Sequence, residues 1–490
     1  MTVEAHLSHG QLFSWREIER YPQGWGHEAN LPATWDLRGL TPAQVDRALG
    51  RLVDRHETLR TTYEVCDGLP VQRIHESVRL PVERVDRLVT DPHEHERVKR
   101  ERLAIPFPMT GDLNWRALMV SSEGAPMYLS LTFSHLIVDV WSIHHLQDQF
   151  KALVAGRPGV AELGFTPREL ARRQRTASWQ PRQAASERYW RGVLADGLMD
   201  RLPTLPSRVE RERLELTLTS RRLGGLAAQA GRTHGVTPPA VIMAFVAAGL
   251  ARHLDTDRVT MSLMSSNRFA QEDQHNIGTM NQLIPFVTAV DRGATLGEHI
   301  KRLHWAGAKA YRYSSYDFDR VTAMAAAAGE DPGHDCWVNH LFRAWFNYVQ
   351  VDRRPADPAD QSPATLAWTP LAQSYGQAFR VRVEVDGGET RVLMLADPDV
   401  LSAEAMIDIM RTLALGVQLA VTDPGRGLKD LWNGHARDLP PALFPRDLPE
   451  RVVTAPMTYA SPTDDGRDRG THPVPVVRRL RGTSRRPDRA

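Results

Sequence analysis

Ser134-His135-Leu136-Ile137-Val138-Asp139 places an imidazole at the end of an apolar strand, with a carboxylate four residues further on. The run before it, Met127-Tyr128-Leu129-Ser130-Leu131-Thr132-Phe133, alternates large apolar and polar residues as a half-buried strand does, so His135 emerges where the strand leaves the core. The run after it, Val140 to Val154, puts Ile143, Leu146, Phe150 and Leu153 on one helical face, and Gly156 can end that helix. A strand, a short loop and a helix frame the histidine, and the spacing suits a base and its structural anchor. In a chain with 19 histidines, one beside an apolar run is by position alone more often a packed core residue than a base.

Outward from this segment, helices and strands alternate in two comparable halves. In the first, a helix runs from Pro42, opened by a Thr41/Gln44 capping box and carrying Val45, Ala48, Leu49, Leu52 and Val53 on one face. Tyr63-Glu64-Val65 and Val71-Gln72-Arg73-Ile74 flank the turn Asp67-Gly68 as a hairpin, and Arg116 to Val120 is a partner for the strand leading to Ser134. In the second half a buried helix follows Thr237 as cap and Pro238 in its first turn. Strands are expected at Val259–Leu263 and Ile284–Val290, and a hairpin around Asp386-Gly387-Gly388. Ser402 caps a closing helix through Leu419. Residues 156–185, rich in Arg, Gln and Pro, read as a linker or surface crossover, and Asp352 to Pro363 as an exposed loop. The economical parse is one lobe over 1–178, a second over 179–440, and a disordered basic tail over 441–490, too polar to offset its ordering entropy.

With 490 residues, 42% of them hydrophobic, the chain can build substantial cores, and a formal net charge of +2 argues against nucleic acid as a partner. Only five of the 61 basic residues are lysine, which reflects genomic base composition before function. Two cysteines, Cys66 and Cys336, build neither a disulfide framework nor a cysteine metal site and suit a reducing compartment. The start, Met1-Thr2-Val3-Glu4-Ala5-His6, lacks the charged head and apolar core of a secretion signal, so the expectation is a cytoplasmic protein. The apolar run Ala240–Ala251 falls short of the roughly 20 residues a bilayer requires, so no membrane association is expected. His93-x-His95 and His144-His145 lie in polar or helical contexts, and no metal-ligand spacing, P-loop or dinucleotide fingerprint stands out.

A succession of further segments carries more weight than the histidine alone. These are Leu7-Ser8-His9-Gly10-Gln11, Arg55-His56-Glu57-Thr58-Leu59-Arg60-Thr61-Thr62-Tyr63, Ser186-Glu187-Arg188-Tyr189-Trp190, Ile277-Gly278-Thr279-Met280-Asn281 and Phe346-Asn347-Tyr348. In order and spacing they resemble the condensation domains of nonribosomal peptide synthetases, in the chloramphenicol acetyltransferase-like superfamily. His135 and Asp139 match the second histidine and the aspartate of that family's His-His-x-x-x-Asp-Gly, and the resemblance covers about residues 5 to 435. Two positions depart from it. Ser134 replaces the first histidine, and Val140 replaces the glycine with a β-branched residue that resists a positive φ, so the loop or the passage to the acceptor is expected to differ.

The resemblance implies an α/β fold of α+β two-layer sandwiches, two acetyltransferase-like lobes forming a V-shaped pseudo-dimer with the active site between them. It implies a free-standing condensation enzyme that joins a carrier-bound acyl or aminoacyl thioester to an amine or hydroxyl, the nucleophile being free or carrier-bound. No cofactor is expected to be bound; the substrates ride on the phosphopantetheine of carrier proteins met in trans. His135 is the implied catalytic residue, either removing a proton or orienting the nucleophile and stabilising the tetrahedral intermediate. Asp139 is the structural carboxylate, with Arg268 as first candidate partner and Arg60 as the alternative, and the role of a plain helix N-cap is compatible with that. Asn347 either aims its amide at a substrate carbonyl or is an ordinary strand residue. Rival readings within the superfamily are an acyl-CoA-dependent acyltransferase and an epimerase. A rival outside enzymology is a silent protein that docks carriers or recruits another enzyme.

Overall fold

The computed structural model describes residues 2–21, 25–157, 164–195, 214–327, 344–350, 356–369, 378–433 and 439–449. The chain divides into two compact units: Met1–Arg191 with Ser265–Gln282 and Tyr313–Ala327, and the remainder. The first unit is therefore discontinuous in sequence and takes in two short stretches from the second half of the chain.

In the first unit the order begins β1 (Thr2–His6), α1 (His9–Ile18), β2 (Asn30–Asp36), α2 (Pro42–Arg55), β3 (Thr61–Cys66) and β4 (Leu69–His75). It continues with β5 (Val82–Asp86), α3 (Glu94–Leu103), β6 (Trp115–Ser122), β7 (Ala125–Ser134), α4 (Val140–Val154), α5 (Pro167–Arg173) and α6 (Gln180–Ala195). β7 lies inside a four-stranded sheet of order β2-β7-β6-β5, antiparallel to both neighbours, while β1, β4 and β3 form a separate antiparallel ribbon. The expected alternation is only partial in β7, whose residues from Tyr128 to Ser134 are all buried, because sheet and helices cover both faces. α2 forms with both hydrogen bonds of its capping box, and its five expected apolar residues are all buried. Each such Val or Leu contributes about 1.5–3 kcal/mol on burial. The β3–β4 hairpin turns at Asp67 (φ 50°) and Gly68 (φ 76°), the left-handed pair a two-residue hairpin requires.

The segment read as a linker or surface crossover carries α5 and the start of α6, with turns between them. Thr166 and Glu169 form a second capping box with Pro167 at the first turn of α5, and Leu170 and Ala171 are buried. An Arg-rich helix of this kind buries a narrow stripe and keeps its charged heads wet, as a surface crossover allows.

The second unit contains β8 (Leu214–Ser220), α7 (Leu223–His234), α8 (Pro238–His253), β9 (Arg258–Ser265), β10 (Gln282–Ala289) and α9 (Leu296–Arg312). α10 (Phe318–Ala327) belongs to the first unit. β11 (Ala344–Gln350), β12 (Thr365–Trp368), β13 (Phe379–Asp386), β14 (Glu389–Ala396) and α11 (Ala403–Thr422) complete the second. Among the described residues its sheet has seven strands, in the order β10-β9-β11-β13-β14-β8-β12, parallel through β9, β11 and β13 and antiparallel from β13 to β12. Every residue of α8 from Ala240 to Ala251 is buried; Thr237 occupies the cap position in an extended conformation, but its side chain makes no capping bond. α11 is long and apolar enough by composition to cross a membrane, yet Met406, Ile409, Met410, Leu413 and Val417 are buried within the protein.

Apolar packing continues past the expected start of the tail at 441. Ala442, Leu443 and Phe444 are buried, and the Ala442 carbonyl accepts from Ser220 Oγ at 2.7 Å. Three consecutive apolar side chains outweigh the polar composition that follows them. The tail from 450 onward, Cys336 and residues 352–355 of the expected exposed loop lie outside the described residues.

Candidate active site

The backbone of the loop between β7 and α4 is tied down at nearly every residue. The Ser134 amide donates to Asn114 O at 2.8 Å, His135 N to Ala29 O at 2.7 Å, and Leu136 N to Ser134 Oγ at 3.2 Å. The carbonyls are held from another direction: Thr58 Oγ1 donates to Ile137 O at 2.7 Å and Tyr63 OH to Leu136 O at 3.4 Å. Tyr63 in turn accepts from Gln11 Nε2 at 3.0 Å, and Gln11 closes a capping box with Ser8 at the start of α1. The motifs around Gln11 and Arg55–Tyr63 thus act mechanically, presenting partners to a loop that would otherwise bury unpaired peptide groups.

Asp139 is the terminus of this loop and performs two tasks. Its Oδ1 accepts the Ser142 amide at 2.9 Å and so caps α4, while its Oδ2 meets Arg268 Nη1 at 2.6 Å and the Met280 amide at 3.1 Å. The pair is enclosed, with the Arg268 and Asp139 side chains 1% and 0% exposed. The second guanidinium nitrogen reaches Gly278 O at 2.9 Å and Ser142 Oγ at 3.0 Å, so the charge meets fixed dipoles as well as its counter-ion. Asn267, at φ 54°, turns the chain before Arg268, and its amide donates to Met280 O at 2.8 Å. Arg60, the alternative partner, instead donates to the His75 carbonyl.

His135 is half-buried. Its Nδ1 lies 3.4 Å from Thr279 Oγ1, and Nε2 has no hydrogen-bond partner among the described residues. Half-buried Glu17 on α1 lies within electrostatic reach of the same imidazole. Burial pushes the Glu17 carboxyl above its usual range, against the opposing influence of His135 and a hydrogen bond from Tyr21 OH at 3.1 Å. A ring with one nitrogen engaged and the other open, next to a rigid backbone, can take a proton from an incoming group or hydrogen-bond to it.

Ser134 is buried at the strand end, where it bridges to the Leu136 amide. Val140 is the first residue of α4 and is not among the described positive-φ residues, so the loop closes on Asp139 without asking valine for a left-handed conformation. Asn347 stands in β11 of the second unit, opposite Arg382 of β13. Sequence reasoning did not single out Thr279, Ser142, Thr58 and Tyr63 as site residues, although three of the four lie inside the quoted motifs. Among the described residues no His, Cys, Asp or Glu cluster has the geometry to hold a metal ion.

The chain matches the Condensation domain family over residues 4–432, and it belongs to that family of acyltransferase-like, amide- or ester-forming domains. Among curated proteins it is similar to the beauvericin nonribosomal cyclodepsipeptide synthetase of Gibberella fujikuroi, with 27% identity over 316 residues, 61% of this chain and 10% of the relative. The chain thus spans about a tenth of the length of the curated relatives it first matches. Among solved structures it superposes on a condensation domain mediating chain release from the enacyloxin polyketide synthase, at TM-score 0.67 and 19% identity, covering 86% of this chain and 83% of that one. It also superposes on the structure of an X-domain with OxyB from teicoplanin biosynthesis, at TM-score 0.65 and 20% identity, covering 87% of this chain and 95% of that one. The fold is the chloramphenicol acetyltransferase-like fold of condensation domains.

Proposed function

We propose that the chain joins an acyl or aminoacyl thioester, presented on the phosphopantetheine of a carrier protein, to an amine or hydroxyl, in nonribosomal peptide or related natural-product biosynthesis. The observation that carries this reading is His135: its Nε2 makes no described hydrogen bond, while the loop that bears it is anchored by backbone bonds and the Asp139–Arg268 pair. The nucleophile attacks the thioester carbonyl carbon and gives its proton to Nε2. The tetrahedral intermediate then expels the pantetheine sulfur, which takes that proton as it leaves. An amine arriving as ammonium must lose a proton beforehand, whereas a hydroxyl loses its proton during attack, so ester formation depends more steeply on the imidazole. Relatives named as cyclodepsipeptide synthetases, and the chain-release domain among the structural neighbours, support keeping the ester branch open.

The test is turnover by wild type and His135→Ala with a loaded carrier and a candidate nucleophile supplied as separate molecules. The expected loss is about 10²–10⁴ in rate; equal rates would remove the base assignment. Transfer from acyl-CoA alone, without any carrier, would replace condensation by simple acyl transfer. Ser134 in the place of a histidine and the likeness to an X-domain keep a recruiting role as the second reading. Absence of turnover by the wild type with every loaded carrier, together with retained carrier binding, would favour it.

A further inference from the structure

Gly10 and Glu17 lie about two turns apart on α1 and so share one face of that helix. At the Gly10 end this face is pressed on the backbone beside the imidazole. A Cβ at Gly10 would stand 2.5 Å from Thr279 O and 2.6 Å from Met280 Cα, and Thr279 Oγ1 lies 3.4 Å from His135 Nδ1. At the other end it carries the Glu17 carboxyl, within electrostatic reach of His135. The neighbouring cations are engaged elsewhere. Arg16 holds Asp319 through Nε at 2.8 Å and Nη2 at 2.9 Å, and Glu19 through Nη1 at 2.8 Å, while Arg20 lies over the Phe318 ring at 5.1 Å. Glu17 Oε1 accepts from Tyr21 OH at 3.1 Å, whereas Oε2 makes no hydrogen bond among the described residues and is not sealed from water. A carboxylate oxygen and an imidazole nitrogen, Nε2 of His135, are therefore both open to an incoming molecule within the first compact unit.

We propose that Glu17 recognises the acceptor as an amine: its carboxylate receives the ammonium group of the incoming nucleophile and takes the proton that the nitrogen must lose before it can attack. The inference rests on the reading of the chain as a condensation enzyme and names the class of its acceptor. Proton transfer turns ammonium and carboxylate into neutral amine and carboxylic acid, an exchange favoured where charges are poorly solvated. Burial already pushes the Glu17 carboxyl upward, against the influence of His135, the Tyr21 hydrogen bond and Arg20. The amine nitrogen then bonds to the thioester carbonyl carbon, the proton it sheds on attack passes to His135, and the C–S bond breaks as the pantetheine sulfur leaves with that proton. Glu17 returns its own proton to water from Oε2, so an ammonium and a thioester become an amide, a thiol and a released proton. A hydroxyl brings no such proton. The carboxylate then stays charged close to a carbonyl oxygen that becomes negative during attack, and that repulsion raises the barrier. Glu17 thus favours amide over ester formation.

The experiment is calorimetric titration of the full chain with alanyl-aminopantetheine and lactyl-aminopantetheine, stable amide analogues of an acceptor thioester that differ in an ammonium against a hydroxyl. Wild type is expected to bind the alanyl probe about 10-fold more tightly than the lactyl probe, as a charge-assisted hydrogen bond provides. Glu17→Gln, which can keep the Tyr21 contact and removes the charge, is expected to lose that preference, and Glu17→Ala to behave alike, with unfolding midpoints confirming that both are folded. In turnover with a loaded donor carrier, Glu17→Gln should lower the ratio of amine to hydroxyl kcat/KM about 10–100-fold, the opposite bias to that of His135→Ala. A wild type with no preference for the ammonium, binding of neither probe included, overturns the proposal. An equal loss on both probes in a folded Glu17→Gln overturns it too, because a carboxylate serving only the imidazole or the helix does not distinguish the acceptors. The titration requires neither donor nor turnover, so a chain that binds the alanyl probe through Glu17 and joins nothing fails the functional reading alone.

Discussion

Two ion pairs of similar length sit in opposite surroundings. Arg268 and Asp139 of the first unit approach to 2.6 Å with side chains 1% and 0% exposed, whereas Arg292 and Asp255 of the second approach to 2.9 Å at 48% and 92% exposure. Water and ions screen the second pair, and its long side chains give up entropy to meet. In the first pair each charge is costly without the other, and every oxygen and most nitrogens have a further partner. Distance alone therefore says nothing of importance; burial and the groups tied to each pair decide it. One pair decorates a loop, while the other sets the geometry of a histidine.

The strongest way to break this contrast is Arg268→Ala, which strands the Asp139 carboxylate in a dry site. It is expected to cost about 3–5 kcal/mol in urea unfolding and to abolish most turnover. A loss below about 1 kcal/mol would show that water reaches the site. The double variant Asp139→Ala/Arg268→Ala sharpens the comparison, because it removes the stranded charge along with its partner. Its cost should be smaller than the sum of the two single variants by about 1–3 kcal/mol in a double-mutant cycle, while turnover stays low. Additive costs would mean that the two groups do not interact as the geometry implies.

Acid supplies a milder perturbation that acts on both units. His56 of the first unit is pushed down to about 4, chiefly by burial, with its hydrogen bond to Gln149 at 2.8 Å opposing the shift. His299 of the second is pushed down to about 4 by burial, against its bond to Ala244 O. In both, the unfolded chain binds protons from about pH 6.5 downward while the folded chain resists until about 4. The stability these neutral rings confer is complete above the unfolded pKa and lost as pH falls through that window. His56→Gln and His299→Gln should each flatten the fall in denaturant midpoint between pH 6.5 and 4, and an unchanged slope would place those rings in contact with water. The smallest effect is reserved for Arg292→Ala, expected to change stability by about 0–1 kcal/mol and to leave turnover unaffected. A larger loss would erase the contrast between the pairs.

Local readings from the sequence fared according to how local their physics is. The capping box of α2, its apolar stripe and the Asp67-Gly68 hairpin depend on residues three to seven apart and are present as read. α5 was hidden in an Arg- and Gln-rich stretch because composition speaks to average polarity, whereas a helix needs only a cap and a few buried side chains. Thr237 kept its cap position without its side-chain bond, since a cap residue can terminate a helix by backbone conformation alone.

By itself the sequence determined that His135 and Asp139 share one loop between a strand and a helix, because a strand end and a helix cap each require only neighbouring residues. It also determined the order of motifs that marks the family. The resemblance named Arg268 as the first candidate partner of Asp139, with Arg60 as the alternative, and tertiary structure decided for Arg268, across 129 positions; it alone decided that Ser142 binds Gly278 across 136 and that Thr279 meets His135 across 144. It further brought residues 265–282, from far along the chain, into the first compact unit. The physical reason is that a buried charge and a half-buried imidazole are satisfied by whatever donors and acceptors the packed chain brings within about 3.5 Å, and periodicity carries no record of those.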